Sequence, residues 1–223
     1  MLVTRMAVLV TILFMYKYNM FVISNNCCGG RLYQQTNQQF NNPFIWMIAS
    51  YDSIYEVMNN FKNINWYNYE MDKSKLKPNT FIIRIENKIE INYVHYIFDP
   101  KADQIIQKKT FDKEEHWTGD VCYNKIWEFV NEKYLERTKR MLELNEKPCF
   151  LIRQETLGNN KIKHDLKDLA ECNSNYKRII ITNDNKIKRN DEICKTILVN
   201  RIEVPEPTVK HNLSTIKNFF NLN

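Results

Sequence analysis

The chain has 223 residues, 43% of them hydrophobic and 26% charged, with a net charge of +6 and a pI near 8.9. That apolar content supports a packed core, which excludes disorder along the whole length. Lys and Arg (32) are interleaved with nearly as many Asp and Glu (26), so the positive excess forms no nucleic-acid footprint and no specific nucleic-acid partner is expected.

In chain order, residues 6–16 (MAVLVTILFMY) form an apolar run between Arg5 and Lys17, shorter than the roughly 20 residues a bilayer span needs. Residues 1–19 are set apart as an apolar N-terminal extension. Membrane contact is expected only if residues 6–23 act as an anchor, and the compartment is otherwise cytoplasmic. MFVIS then leads into NNCCGG at 25–30, a short strand ending at two cysteines ahead of a helix to about Gln35. PFIWMIAS at 43–50 reads as a turn into a buried strand, and 52–61 as a helix with Ile54, Val57, Met58 and Phe61 on one face. FIIRIE at 81–86 and YVHYIF at 93–98 read as strands, and the polar stretch 99–119 as a surface excursion or lid.

Residues 123–146 carry the longest helical signal, with Ile126, Trp127, Val130, Tyr134 and Met141 at mostly three- and four-residue steps, and should pack across a sheet. CFLIRQE (149–155), a helix over 164–172 and RIIITND (178–184) give strand, helix, strand, which predicts parallel neighbours and a doubly wound half. A strand over 196–199, the loop IEVPEP and a short helix over 213–220 follow. The expected class is α/β, a mixed and largely parallel sheet flanked by helices, in a single domain over 20–223.

The six cysteines, Cys27, Cys28, Cys122, Cys149, Cys172 and Cys194, fall in strand-like and helical stretches or side by side, a placement that suits reduced thiols. No C-x-x-C pair and no H-x-x-x-H spacing occurs, so no metal is expected. No cofactor is expected either.

A thiol at the end of a strand and the start of a helix is a candidate nucleophile. The unpaired N–H groups and positive dipole end of the helix favour the thiolate, and Gly29 and Gly30 admit close backbone approach. The alternative is an inert buried thiol pair in a tight turn. The candidate base for Cys27 is His95 in YVHYIF; His116, His164 and His211 lie in polar surroundings and rank below it. Asp99, four residues beyond His95, or Asn183 and Asp184 at the end of RIIITND, can orient the imidazole, although residues ending a strand often just cap the next turn. Asn26, Gln34 and Gln35 are candidate oxyanion donors.

Lys133, Arg137 and Arg140 lie near one helix face and Arg153 ends the next strand. They can grip a carboxylate or phosphate, or form a solvated face paired with Glu132 and Glu136. The residues expected to meet a substrate are Asn26, Arg137, Arg153 and Trp46, with Trp46 otherwise a core or rim residue.

Four segments in this order and spacing, FVISNNCCGGRLYQ, NNPFIW, YVHYIF and EKYLERTKRMLE followed by CFLIRQE, resemble an uncharacterised family described as papain-like cysteine peptidases. They are similar also to a related family reading Asn-Asn-Cys-Trp-Gly-Gly, and the resemblance covers most of residues 20–155. It implies a Cys–His site carried by Cys27 and His95. Cys28 stands where the related family has Trp, and Tyr96 where a papain-like member often has Asp, which leaves the reacting thiol open and leaves Asp99 or Asp184 as the orienting carboxylate. The implied activity is a peptidase or a thiol acyl hydrolase or transferase on a peptide, acyl or glycan substrate. Because some relatives are linked with surface-polysaccharide genes, the alternative is a protein that binds or transfers a sugar or nucleotide sugar. A third option is an inactive interaction module.

Overall fold

A computed structural model describes residues 21–73, 81–93, 96–99, 104–107, 120–144, 146–155, 163–202 and 205–222. The N-terminal extension 1–19, residues 6–20 of the anchor run 6–23, and His95 lie outside the described residues.

The elements are β1 (Val22–Ser24), α1 (Cys28–Gln35), β2 (Met47–Ala49), α2 (Tyr51–Asn60) with a 3-10 turn (Phe61–Asn63), β3 (Tyr69–Lys73), β4 (Phe81–Ile85), β5 (Ile89–Tyr93), β6 (Tyr96–Asp99), β7 (Gln104–Gln107), α3 (Asp120–Glu143), β8 (Cys149–Arg153), α4 (Leu166–Glu171), β9 (Arg178–Thr182), β10 (Cys194–Leu198) and α5 (Pro205–Phe220). They form two four-stranded sheets rather than one. The first, ordered β1-β8-β9-β10, is parallel throughout; the second, ordered β2-β5-β4-β3, is antiparallel; β6 and β7 make a separate hairpin.

Sequence pattern explains the division. FLI in β8 and all five residues of β9 are buried, the continuous apolar run of a strand covered on both faces. β4 and β5 instead alternate, burying Phe81, Ile83 and Ile85 and then Ile89, Ile91 and Tyr93, the period of a strand with one face on the core. One face of the parallel sheet, with Val22, Leu151, Ile179 and Ile181, packs with Leu32 of α1 and Val209, Ile216 and Phe220 of α5. The other, with Ile23, Phe150, Ile152 and Ile180, shares a core with α2, α3 and the inner face of the antiparallel sheet. The α3 residues in that core are Ile126, Val130, Tyr134 and Met141.

Several expectations are corrected. Strand order in the parallel sheet follows chain order without reversal, so among the described residues this half is not doubly wound. Of YVHYIF, Tyr93 ends β5 and Tyr96–Phe98 lie in β6, while residues 94 and 95 lie outside the described residues. The stretch 99–119 contributes β7, paired with β6. IEVPEP is not all loop: Pro205 opens α5, where its missing N–H would have no intrahelical partner. β3 (YEMDK) escaped the pattern reading because, as an edge strand, none of its residues is buried.

Among the described residues, side chains rather than another strand close the outer edge of β1. Val22 N donates to Tyr33 Oη (3.1 Å), and Asn42 Nδ2 donates to Val22 O (3.0 Å). No helix among the described residues is long and apolar enough to cross a membrane.

Arg178, fully buried at the start of β9, pairs with no carboxylate among the described residues. Its Nη1 and Nη2 donate to the carbonyls of Ser174, Tyr176, Ala170 and Cys172, so the guanidinium is held by the C-terminal end of α4 and the loop after it. Helix C-terminal carbonyls carry negative partial charge and suit a cation. Replacing Arg178 with Leu strips these acceptors of a donor, and urea unfolding should show a loss of about 3 kcal/mol or more.

Candidate functional site

The segment NNCCGG sits where β1 ends against β8 and β2. Asn25 is fully buried and acts as an extra rung of the parallel ladder: its Nδ2 donates to Arg153 O and its Oδ1 accepts from Arg153 N, both at 2.9 Å. Its own carbonyl accepts from Ala49 N of β2 at 2.9 Å, which joins the two sheets. Asn26 turns the chain into α1, its Oδ1 accepting from Cys28 N (2.9 Å) and its Nδ2 donating to Glu155 Oε1.

The glycines allow α1 to lie close. A Cβ on Gly29 would stand 2.9 Å from Ser24 Cβ, and one on Gly30 2.7 Å from the Trp46 indole. Trp46 itself takes a left-handed backbone (φ 62°), which puts its ring against α1. Arg31 lies over that ring (5.0 Å to the centroid), and Phe40 meets it edge-on at 6.3 Å.

Arg153 and Glu155, two residues apart, project to the same side. Arg153 Nη2 donates to Glu155 Oε1 at 2.8 Å, so one carboxylate oxygen receives both Asn26 and Arg153. Glu155 N donates to Tyr51 Oη at 2.8 Å, tying the group to the first residue of α2. Gln154, between them, faces the other way and accepts from Thr182 Oγ1 and from Asn183 N.

Cys27 adjoins this cluster as the residue before α1, 9% exposed. The expected lowering of its pKa is not what the environment gives. Burial, reinforced by the Glu155 carboxylate, pushes the thiol from 9.0 to about 11, against the opposing pull of Arg153 and Arg31. Desolvation of a thiolate outweighs a short helix's partial charge and two nearby guanidiniums. Cys28 is buried more deeply and pushed to about 12, again chiefly by burial. The more accessible of the two thiols is Cys27.

The other expected site residues are distributed as follows. Asn26 and Arg153 join Cys27. Arg137 is 5% exposed, its Nη1 donating to Ile45 O (2.8 Å) and its guanidinium lying over Phe40, so it braces the loop that carries Trp46. Trp46 is a buried wall behind α1 rather than a rim. Lys133 and Arg140 pair with Glu136 on the helix surface. Asp184 lies beyond β9, two strands from β1, where Oδ1 accepts from Lys186 N (2.9 Å) and its carbonyl from Ile187 N (3.2 Å), a turn cap. Asp99 ends β6, and His95 lies outside the described residues. Glu155, Tyr51 and Asn25 were missed. Arg-Gln-Glu at the end of CFLIRQE carried a signal for Glu155, since strand alternation puts positions 153 and 155 on one side.

Among the described residues no group of three or more His, Cys, Asp or Glu converges to hold a metal ion.

A family model described as a domain of unknown function (DUF1919) matches residues 7–113, just under half of the chain. The match takes in the apolar extension, NNCCGG and the position of His95, and ends before α3. No curated protein and no solved structure matches the chain. The chain is thus similar, over that span, to an uncharacterised domain family.

Two outcomes test this geometry. Asn25→Ala leaves Arg153 N and O without their partner and should lower stability by about 3 kcal/mol in urea unfolding. Iodoacetamide labelling of Cys27, followed by mass spectrometry, should titrate near pH 11 rather than below the free-thiol value of about 8.5. Folding raises the pKa of Cys27, Cys28 and Cys149, so the neutral thiols contribute stability that is complete below the unfolded pKa. That stability falls away from about pH 9 upward through the folded values, a loss readable as a declining Tm.

Proposed function

We propose that the C-terminal edge of β1 and β8 is the site of a thiol-dependent acyl hydrolase or acyl transferase of papain-like type, with Cys27 as nucleophile and His95 as general base. The observation that carries this reading is the setting of Cys27. It immediately precedes α1, at the carboxyl end of a parallel strand, beside a fixed Asn26–Glu155–Arg153 cluster. The resemblance of NNCCGG and YVHYIF to papain-like cysteine peptidases supplies the base and the reaction type.

Burial dictates how such a thiol works. At neutral pH Cys27 is protonated, so the proton leaves as the bond forms. The base takes the proton, sulfur attacks the acyl carbon, and the protonated base delivers the proton to the departing alcohol or amine. Water, or a hydroxyl of an acceptor glycan, then cleaves the thioester and releases the acid or the transferred ester. Arg153 and Arg31 supply positive charge beside the sulfur, which suits an acyl group on an anionic substrate. The unbridged thiols Cys27, Cys28, Cys149, Cys172 and Cys194 favour a reducing, cytoplasmic setting.

One observation favours a second reading. A thiol raised to about 11 is poor as a resting nucleophile, and the same two guanidiniums suit an anionic sugar or nucleotide sugar in polysaccharide assembly, with Cys27 as packing.

The test is turnover of p-nitrophenyl acyl esters, with the acylated residue mapped by mass spectrometry. Activity should vanish in Cys27→Ala, persist in Cys28→Ala and fall about 10²-fold or more in His95→Ala. Full activity in Cys27→Ala, or no acyl-enzyme with any ester alongside thermal stabilisation by a nucleotide sugar, would sink the thiol reading and favour the second.

A further inference from the structure

On the opposite side of the parallel sheet from α1, a cavity of about 310 Å³ opens between α4 and the connection from β9 to β10. It is lined by Lys167, Lys186, Lys188 and Arg189, with Glu171 as the single lining carboxylate, and with Ala170 and Ile187 at its apolar side. Neither this place nor its residues belong to the Cys27 site.

The cations are held there by the fold. Ile187 is buried in the core and anchors the connection, while Lys186 and Lys188 on either side of it are exposed and line the cavity. Among the described residues neither lysine has an ion-pair partner. Lys167 is only loosely engaged, with Glu171 at 3.9 Å one helical turn away. Arg189 is fixed: Nε donates to Asp191 Oδ2 (2.6 Å) and Nη1 to the Ala170 carbonyl (2.6 Å), so its guanidinium plane is set before any ligand arrives. Counting Asp191 behind Arg189 as well as Glu171, four cations face two carboxylates.

Four like charges around one small cavity repel one another, and an anion placed among them relieves that repulsion. A single exposed ion pair contributes little, so binding needs one ligand that several cations engage together. The volume is at the lower end of small-molecule sites, roughly 300–1,000 Å³, and so fits one compact ligand. We infer that this cavity binds a multiply charged phosphate anion of the diphosphate class, with Lys186 and Lys188 as its principal contacts and Arg189 as the preorganised one. The diphosphate can be free or carried on a nucleoside, since the lining recognises the same charged group in both.

The experiment is isothermal titration calorimetry of the full chain at low ionic strength with inorganic pyrophosphate, ADP, inorganic phosphate and sulfate. Pyrophosphate should bind saturably at one site, at least about tenfold more tightly than phosphate or sulfate, and the affinity should fall as salt is raised. Lys186→Glu/Lys188→Glu, and the neutral Lys186→Gln/Lys188→Gln, both at exposed positions and checked by circular dichroism, should weaken it by about tenfold or more. ADP binding as tightly as pyrophosphate assigns the diphosphate to a nucleotide; pyrophosphate binding without ADP assigns it to the free ion. Equal affinity for sulfate and pyrophosphate, no saturable heat, or unchanged affinity in both double variants would overturn the inference.

Discussion

Asn25 is the residue on which the arrangement of the rest depends. β1 is only three residues long, too short for backbone pairing alone to fix its end against β8. The Asn25 side chain extends the ladder by one rung, using an amide in place of a peptide group. Its own carbonyl, freed by that substitution, receives Ala49 N and brings the antiparallel sheet alongside. Because buried backbone groups are seldom left unpaired, this one side chain decides both where β1 stops and where β2 begins. The residues around Cys27 are then placed by short chain lengths from Asn25: Asn26 turning into α1, Cys27 before its first turn, Arg153 opposite.

The ionisation of Cys27 is a contest between field and solvation. Helix start, Arg153 and Arg31 all favour a thiolate at Cys27, while burial and the Glu155 carboxylate oppose it, and burial is the largest of these effects. Gly29 and Gly30 permit the close approach that seats α1 on Ser24 and Trp46. For the proposed thiol reaction, that balance suits a base acting during attack rather than a preformed thiolate.

Cations are used in two ways that composition alone does not separate. Arg178, Arg137 and Arg140 donate to main-chain carbonyls and hold loops and helix ends, each replacing a missing strand or cap. Arg153 is paired to a carboxylate whose other donor is Asn26. Around the β9–β10 connection, by contrast, Lys186 and Lys188 line a cavity with no ion-pair partner among the described residues.

The sequence by itself determined the elements whose pattern is local. Alternation in FIIRI, the unbroken apolar run in RIIIT, and the three- and four-residue steps of Ile126, Val130 and Tyr134 each record a burial pattern that a neighbour along the chain suffices to reveal. The strand ending at NNCCGG, with its helix, was legible for the same reason. What only the tertiary structure decided were the partnerships between distant segments: two sheets instead of one, Arg137 spent on the Ile45 carbonyl, Asp184 on a turn, Glu155 beside Cys27, and the direction of the Cys27 pKa. Spacing says which side chains share a face, but desolvation and hydrogen-bond partners depend on what the fold packs against that face, and no local pattern carries that information.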